Sequence, residues 1–145
     1  MAPLEDAGPA KTVLVVDDVS EIRAVLRAYL HDPPRMAVIG EAADGLAAIR
    51  VAGELQPDVI VLDRLMDPMG GDAALPRLRA ALPDAVIVIY SSFADPADRQ
   101  MLADLGADDL VDKRAGLDRL QAAIGTALST RATEPADGRT DHQSR

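Results

Sequence analysis

The sequence predicts a doubly wound α/β fold, with five parallel strands in one sheet and helices on both faces. Short apolar runs rich in Val and Ile recur along the chain, and their near-continuous character is typical of strands buried on both faces. Segments with apolar residues three and four positions apart separate these runs and indicate amphipathic helices. Five such pairs with short connections require parallel strands joined by helical crossovers.

The predicted strands are the apolar runs themselves. They are TVLVV (12–16), MAVIG (36–40), VIVL (59–62), AVIVIY (85–90) and the weaker DLV (109–111). Their lengths are ordinary for strands in globular proteins.

Each predicted helix carries apolar residues at helical spacing. The five sets are Ile22, Leu26, Tyr29 and Leu30; Leu46 and Ile49; Leu75, Leu78 and Leu82; Leu102 and Leu105; and Leu117, Leu120, Ile124 and Leu128. Ser20 and Asp44 are the predicted N-caps of the first two helices. Asp95 followed by Pro96 is predicted to start the fourth helix, and Gly106 to end it.

Length and composition limit the class of protein. With 145 residues, of which 48% are hydrophobic, the chain suits one domain, and with only 2% aromatic residues its core must be aliphatic. The formal charge of -9 argues against direct nucleic-acid binding, because phosphate contacts need clustered Lys and Arg. The chain has no cysteine, which excludes disulfides, thiolate nucleophiles and cysteine zinc sites.

Both termini are polar in sequence. We assign residues 1–10 to a disordered arm, 11–130 to the folded domain and 131–145 to a disordered polar tail. Glu5 and Asp6 stand where a secretory signal would be basic, and no apolar run approaches the length of a membrane span. We therefore expect a cytoplasmic protein without membrane insertion.

Polar residues follow four of the predicted strands, at the edge of the sheet where ligands bind in doubly wound folds. They are Asp17 and Asp18 after the first strand, Asp63 after the third, Ser91 and Ser92 after the fourth, and Lys113 just after the fifth. Each alone has an ordinary explanation, since an Asp at a strand end is most often a turn former or a helix cap. Their combination at one edge favours a functional site.

Three carboxylates close together repel one another, so the site requires positive charge among them. Oxygen ligands without His or Cys favour a hard cation, Mg²⁺ or Mn²⁺, which keeps coordination positions open for phosphate oxygens. Lys113 adds an ammonium and a serine adds a hydroxyl. These groups together suit phosphoryl transfer onto an aspartate.

The motifs that carry this chemistry resemble the receiver domain of two-component response regulators. The matching pieces are VLVVDD, VIVLD followed by Met66, Met69 and Gly71, VIVIYSS, and GADDLVDK. They cover essentially the whole folded region in order and spacing. The stretch GEAADGLAAI (40–49) is especially similar to receivers of the nitrate-response subfamily. The resemblance implies a flavodoxin-like sheet with strand order 2-1-3-4-5.

The resemblance also implies a role for each site residue. Asp63 is the implied phosphoacceptor, and Asp17 and Asp18 form the acidic pair that holds Mg²⁺ together with Asp63 and the backbone carbonyl of Leu65. Ser91 is the hydroxyl that moves toward the phosphoryl group, in preference to Ser92, and Lys113 pairs with that group. His31 and His142 resemble no phosphodonor site, so the phosphoryl group must come from a partner.

The sequence departs from the family pattern around the site. Asp67 precedes Pro68 in the loop where the family usually has Pro directly after the first Met, and Gly70 stands where Asp or Asn is common. Leu110 replaces the usual Tyr or Phe three residues before the lysine, which puts the aromatic switch of the family in doubt.

Two further positions beside the site are apolar. Leu65 and Phe93 lie two residues after Asp63 and Ser91, where a polar side chain could orient an attacking water. We therefore expect slow hydrolysis of the phosphoryl group.

The functional hypothesis is a stand-alone receiver, not a conventional enzyme, that assists its own phosphorylation and dephosphorylation. Its expected partners are a sensor histidine kinase or histidine phosphotransfer protein and an unknown downstream protein. A homodimer through the fourth and fifth helices and a monomer need the same apolar core, so both remain open.

Three alternatives are weighed against this hypothesis. Leu110 and the altered loop favour a binding module that works without phosphorylation. A second alternative is that the domain is a receiver cut from a longer DNA-binding regulator. An aspartate-dependent phosphohydrolase is disfavoured, because Leu65 occupies the place of its second carboxylate.

Overall fold

Five parallel strands form one sheet in the order β2-β1-β3-β4-β5 in a computed structural model of the chain, which describes residues 9–133. The strands are β1 Lys11–Val16, β2 Met36–Ala42, β3 Val59–Leu62, β4 Val86–Ser91 and β5 Asp109–Asp112. The helices are α1 Ser20–Leu30, α2 Gly45–Leu55, α3 Gly71–Ala81, α4 Arg99–Leu105 and α5 Leu117–Thr133, with 3₁₀ turns at Pro96–Asp98 and Lys113–Ala115. The predicted fold class and strand order are confirmed.

The sheet separates two apolar layers, because alternate residues of each strand face opposite sides. Leu14, Ile60 and Ile87 belong to the layer under α2, α3 and α4, whereas their neighbours Val13 and Val59 belong to the layer under α1 and α5. Burial on both faces explains why the strand sequences are continuous apolar runs. The aliphatic core predicted from composition is present, and two rings join the second layer, the buried Tyr90 of β4 and the partly buried Tyr29 of α1.

The helix starts agree with the sequence in two of three places. Asp44 caps α2, since its carboxylate accepts a hydrogen bond from the Ala47 N–H at 3.0 Å. Asp95 caps the 3₁₀ turn Pro96–Asp98, which leads into α4. The prediction that Ser20 caps the first helix is wrong, because Ser20 is already the first residue of α1 and Val19 stands at the cap position.

The ends of the domain differ from the predicted boundary at one side. Helix α5 continues to Thr133, three residues past the predicted limit at residue 130, and Arg131 within it binds Asp108 at 2.9 Å. That ion pair joins the last turn of α5 to the turn before β5. The predicted arm up to residue 8 and the predicted tail from residue 134 lie outside the described residues. No helix within residues 9–133 is long and apolar enough to cross a bilayer.

Arg79 at the end of α3 holds together the edge of the sheet opposite the predicted site. Its guanidinium donates to the carbonyl oxygens of Leu82 at 3.1 Å, Ala85 at 2.6 Å and Gly106 at 2.8 Å, and to the Asp108 carboxylate at 3.0 Å. Gly106 ends α4 with a φ of 125°, and a Cβ at this position would lie 2.7 Å from the Arg79 Cβ. One side chain therefore satisfies carbonyls at the ends of two helices, which would otherwise lack partners.

We expect Arg79→Met to lower the free energy of unfolding by about 2 to 4 kcal/mol, because it leaves several partly buried acceptors without a donor. Urea denaturation at neutral pH measures the change. Arg77→Met is the matched control, since Arg77 is an exposed residue of the same helix. Equal urea midpoints for the two variants would contradict this role of Arg79.

Candidate functional site

Asp17 and Asp63 are brought together by the pairing of β1 with β3. Val16 pairs with Leu62 in the parallel ladder, and the Asp63 N–H continues it by donating to the Val16 carbonyl at 3.0 Å. The chain leaves β1 toward β2 on one side and returns to β3 on the other, so these strand ends lie at the point where strand order reverses. The two aspartates therefore sit side by side where doubly wound sheets bind ligands.

Three carboxylates meet at this edge. Asp17, Asp18 and Asp63 each offer an oxygen within 4.8 Å of the others. Asp17 and Asp63 are buried, with 1% and 7% of their surface exposed, whereas Asp18 is exposed. The cluster therefore has two carboxylates set in the protein and one facing solvent.

Lys113 supplies the positive charge that the sequence analysis required. It follows β5, and its Nζ donates to the Asp17 carboxylate at 2.7 Å and to the Asp63 carboxylate at 3.1 Å. The turn that begins at Lys113 is capped by Asp112, whose carboxylate accepts from the Arg114 N–H at 2.8 Å. The ammonium thus bridges the two buried carboxylates and leaves Asp18 without contact to it.

The electrostatic environment shifts two of these groups. Burial, followed by the charge of Asp17, raises the pKa of Asp63, against the opposing effects of Lys113 and the Arg64 N–H. Burial lowers the pKa of Lys113, but its hydrogen bonds and the charges of Asp17 and Asp63 outweigh that effect and raise the pKa overall. Lys113 therefore stays positively charged, whereas the negatively charged form of Asp63 is less favoured than that of an ordinary aspartate.

The donor set fits a hard divalent cation. The three clustered groups are carboxylates, and one ammonium leaves them with an excess of negative charge. Oxygen donors with open solvent access on one side are what Mg²⁺ prefers, because that ion keeps several waters. Asp17, Asp18 and Asp63 are the residues that could hold it.

Ser91 and Ser92 lie at the end of β4, next to β3 in the sheet. Ser91 is the last strand residue and fully buried, and its Oγ accepts a hydrogen bond from the Phe93 N–H at 3.1 Å. Ser92 is exposed. Of the two serines, Ser91 has the buried side chain, and it ends the strand that pairs with β3, which Asp63 follows.

The loop after Asp63 exposes the residues whose apolar or acidic character was noted in the sequence. Leu65 is 57% exposed and Asp67 is also exposed, whereas Met66 between them is buried in the core. Phe93, in the loop after β4, is 58% exposed. Leu65 and Phe93 therefore face solvent, and neither packs in the two apolar layers of the core.

Leu110 takes no part in the surface of the site. It lies in β5 with 3% of its surface exposed and packs in the layer under α4. An aliphatic side chain at this position has no polar end to bring to the surface. The structure therefore places it as a core residue.

Two arginines that the sequence analysis did not single out support the site. Arg64 donates its backbone N–H to the Asp63 carboxylate at 2.8 Å, and its side chain forms ion pairs with Asp72 and Asp98. Arg23 of α1 donates to the Asp17 carbonyl at 2.7 Å. The position of Arg64 directly after the strand-end aspartate was a signal for its contact with that residue, but no spacing indicated its side-chain partners.

Comparison with known proteins gives a consistent result. The family model described as "Response regulator receiver domain" matches residues 13–125. The "Transcriptional regulatory protein LiaR" of Bacillus subtilis is 36% identical over 115 residues, which are 79% of this chain and 54% of that protein. The chain thus spans about half the length of the curated relatives it matches.

Solved structures share the fold over most of the chain. The response regulator domain of Thermotoga maritima CheB superposes with a TM-score of 0.73 at 31% identity, over 87% of this chain and 99% of that one. The signal receiver domain of the putative response regulator NarL from Mycobacterium tuberculosis gives a TM-score of 0.73 at 25% identity, over the same shares of the two chains.

We expect Lys113→Met to lower the free energy of unfolding by about 3 kcal/mol, because it leaves the buried carboxylates of Asp17 and Asp63 without a cation. Adding Asp63→Asn should restore part of the loss, since one of the two charges is then removed. Urea denaturation with a metal chelator measures both, and Lys11→Met at the exposed start of β1 is the control. A Lys113→Met protein as stable as this control would contradict the bridging role.

Proposed function

The chain belongs to the receiver domain family of response regulators, which are phosphoacceptors in two-component signalling, and from that premise we propose that Asp63 accepts the phosphoryl group. The observation that carries the proposal is the bridge from Lys113 to the buried Asp63 and Asp17 carboxylates at the switch point of the sheet. This bridge places a positively charged group in contact with Asp63 at the edge of the sheet where doubly wound folds bind ligands.

In the proposed reaction a carboxylate oxygen of Asp63 attacks the phosphorus of a phosphohistidine, the O–P bond forms, and the N–P bond to the imidazole breaks. Lys113 stays charged and stabilises negative charge on the transferred group. Mg²⁺ or Mn²⁺, held by Asp17, Asp18, Asp63 and the Leu65 carbonyl, would supply further positive charge to the phosphoryl oxygens. Ser91 would then donate its hydroxyl to the phosphoryl group, and the exposed Ser92 beside it would take no direct part.

The proposed partners follow from this chemistry. A sensor histidine kinase or histidine phosphotransfer protein in the cytoplasm supplies the phosphoryl group, and a downstream protein binds the altered surface at α4, β5 and α5. The net charge of -9 supports output through protein contact, without nucleic-acid binding by these residues. A homodimer through α4 and α5 is compatible with the same surface.

A second candidate is that these residues act as the receiver of a longer DNA-binding regulator. It is favoured by one observation, namely that the chain covers 54% of a relative whose name is "Transcriptional regulatory protein". The proposed chemistry at Asp63 is the same in both cases. They differ in the target that the phosphorylated domain contacts.

Incubation with acetyl phosphate and Mg²⁺ should add one phosphoryl group to the protein, as measured by intact mass. We expect no gain without Mg²⁺ and none in Asp63→Asn, because the nucleophile is then absent. No gain in the wild-type protein, with Mg²⁺ binding shown separately, would favour the phosphorylation-independent binding module, with the Asp67 and Pro68 loop as the cause.

The phosphoryl group on Asp63 should be lost slowly, because Leu65 and Phe93 offer no polar group to orient an attacking water. Leu65→Asn is expected to shorten the lifetime roughly tenfold by adding such a group. The decay of phosphorylated protein by intact mass measures it, and Leu46→Asn, at an exposed leucine of α2, is the control. Rapid loss of the phosphoryl group from the wild-type protein, at a rate that Phe93→Ala leaves unchanged, would contradict the explanation.

A further inference from the structure

The side chain of Arg64 is largely shielded from solvent next to Asp63, although it belongs to neither of the two apolar layers. Only 12% of the side chain is exposed. Its backbone N–H donates a hydrogen bond to the Asp63 carboxylate at 2.8 Å, so the position of Arg64 is coupled to that of Asp63. The question is what the guanidinium holds.

The guanidinium joins three separate segments of the fold. It binds Asp72 of α3 through two parallel hydrogen bonds, from Nε at 3.0 Å and from Nη2 at 2.8 Å. Its Nη1 donates to the Asp98 carboxylate and to the Phe93 carbonyl, both at 2.9 Å. Asp98 ends the 3₁₀ turn before α4, and Phe93 lies in the loop after β4.

The Phe93 backbone is therefore held on both sides. Its N–H donates to the Ser91 hydroxyl, and its carbonyl accepts from Arg64. Ser91 is the residue whose hydroxyl would turn to a phosphoryl group on Asp63. A chain of hydrogen bonds thus leads from Arg64 through Phe93 to Ser91.

The segment 93–98 depends on Arg64 for its hydrogen bonds to distant parts of the fold. The other hydrogen bonds of this segment are local, such as Ala97 N–H to Asp95 at 2.9 Å and Asp98 N–H to the Asp95 carbonyl at 2.9 Å. Within residues 9–133, the two hydrogen bonds from Arg64 connect this segment to the loop after β3, beyond its neighbours β4 and α4.

We propose that Arg64 is a positioning residue that holds the segment 93–98, and through Phe93 the Ser91 hydroxyl, in the arrangement of the unphosphorylated protein. This inference rests on the proposed function. A Ser91 hydroxyl that turns toward a phosphoryl group on Asp63 leaves the Phe93 N–H, and in this proposal the Phe93 backbone then shifts against its bond from Arg64. The free energy of these bonds therefore opposes the switch and sets how much of the protein changes state for a given phosphoryl occupancy.

Two variants separate the geometry of Arg64 from its charge. Arg64→Lys keeps the positive charge, but an ammonium cannot bridge three acceptor groups as the planar guanidinium does. Asp98→Asn removes one partner from a half-exposed position and so carries little risk to folding. Arg27→Lys is the matched control, because Arg27 of α1 also binds two acceptors, the Glu41 carboxylate at 2.9 Å and the Val38 carbonyl at 3.1 Å, away from the segment 93–98.

The experiment titrates each protein with beryllofluoride in the presence of Mg²⁺, followed by ¹⁹F NMR, and measures hydrogen–deuterium exchange of residues 92–99 without ligand. For Arg64→Lys we expect faster exchange and a half-saturating beryllofluoride concentration about three- to tenfold lower than wild type. Asp98→Asn should change in the same direction by less, and Arg27→Lys should match wild type. A gain in affinity is an outcome that simple loss of stability would not produce.

Unchanged or weaker beryllofluoride binding in Arg64→Lys, or exchange as slow as in wild type, would overturn the proposal. Failure of the wild-type protein to bind beryllofluoride at all would instead contradict the proposed function. In that case the exchange comparison still decides whether Arg64 holds the segment.

Discussion

The repulsion between buried carboxylates at the ends of β1 and β3 is the constraint on which the site depends. Asp17 and Asp63 are placed side by side by strand pairing, and burial together with the charge of Asp17 disfavours the charged form of Asp63. The Lys113 ammonium, at 2.7 and 3.1 Å, offsets part of this cost but leaves the cluster negative. A bound cation would therefore stabilise this edge, where burial and the charge of Asp17 raise the pKa of Asp63. The same excess of negative charge that opposes folding at this edge therefore favours cation binding there.

The sheet order explains why these residues meet. The reversal of strand order between β1 and β3 opens a crevice at their carboxyl ends, and the adjacent β4 and β5 bring Ser91 and Lys113 to the same edge. Helices on both faces bury β3, β4 and most of β1 from two sides, whereas the edge strand β2 is partly exposed. The polar side chains of the site stand at the strand ends and in the loops that follow, and the paired strands fix their positions.

Arginine side chains carry much of the polar organisation in this aliphatic domain. Arg79 satisfies carbonyls at the edge remote from the site, and Arg64 joins the Asp63 segment to α3 and to the start of α4. A planar guanidinium with five N–H donors can form paired hydrogen bonds to one carboxylate and still bind acceptors of other segments, whereas the ammonium of a lysine has three donors on a single nitrogen. Leu110 of β5 is an aliphatic residue with 3% of its surface exposed, so this position has no aromatic ring that could turn between core and surface.

The sequence alone determined the order of strands and helices, the sheet class and the set of residues at the site edge. Apolar periodicity is a local signal, and the aspartates stand at the ends of the strands that carry it. The sequence pattern did not locate the start of α1, where Asp17, rather than Ser20, binds the first loop amide. It also did not show that α5 continues to Thr133, because the pairing of Arg131 with Asp108 is a contact between residues 23 apart. Only the tertiary structure decided the partners of Arg64, which lie 8, 29 and 34 residues along the chain. A long side chain reaches whichever acceptors the packing of other elements brings near it, and no local periodicity encodes that choice.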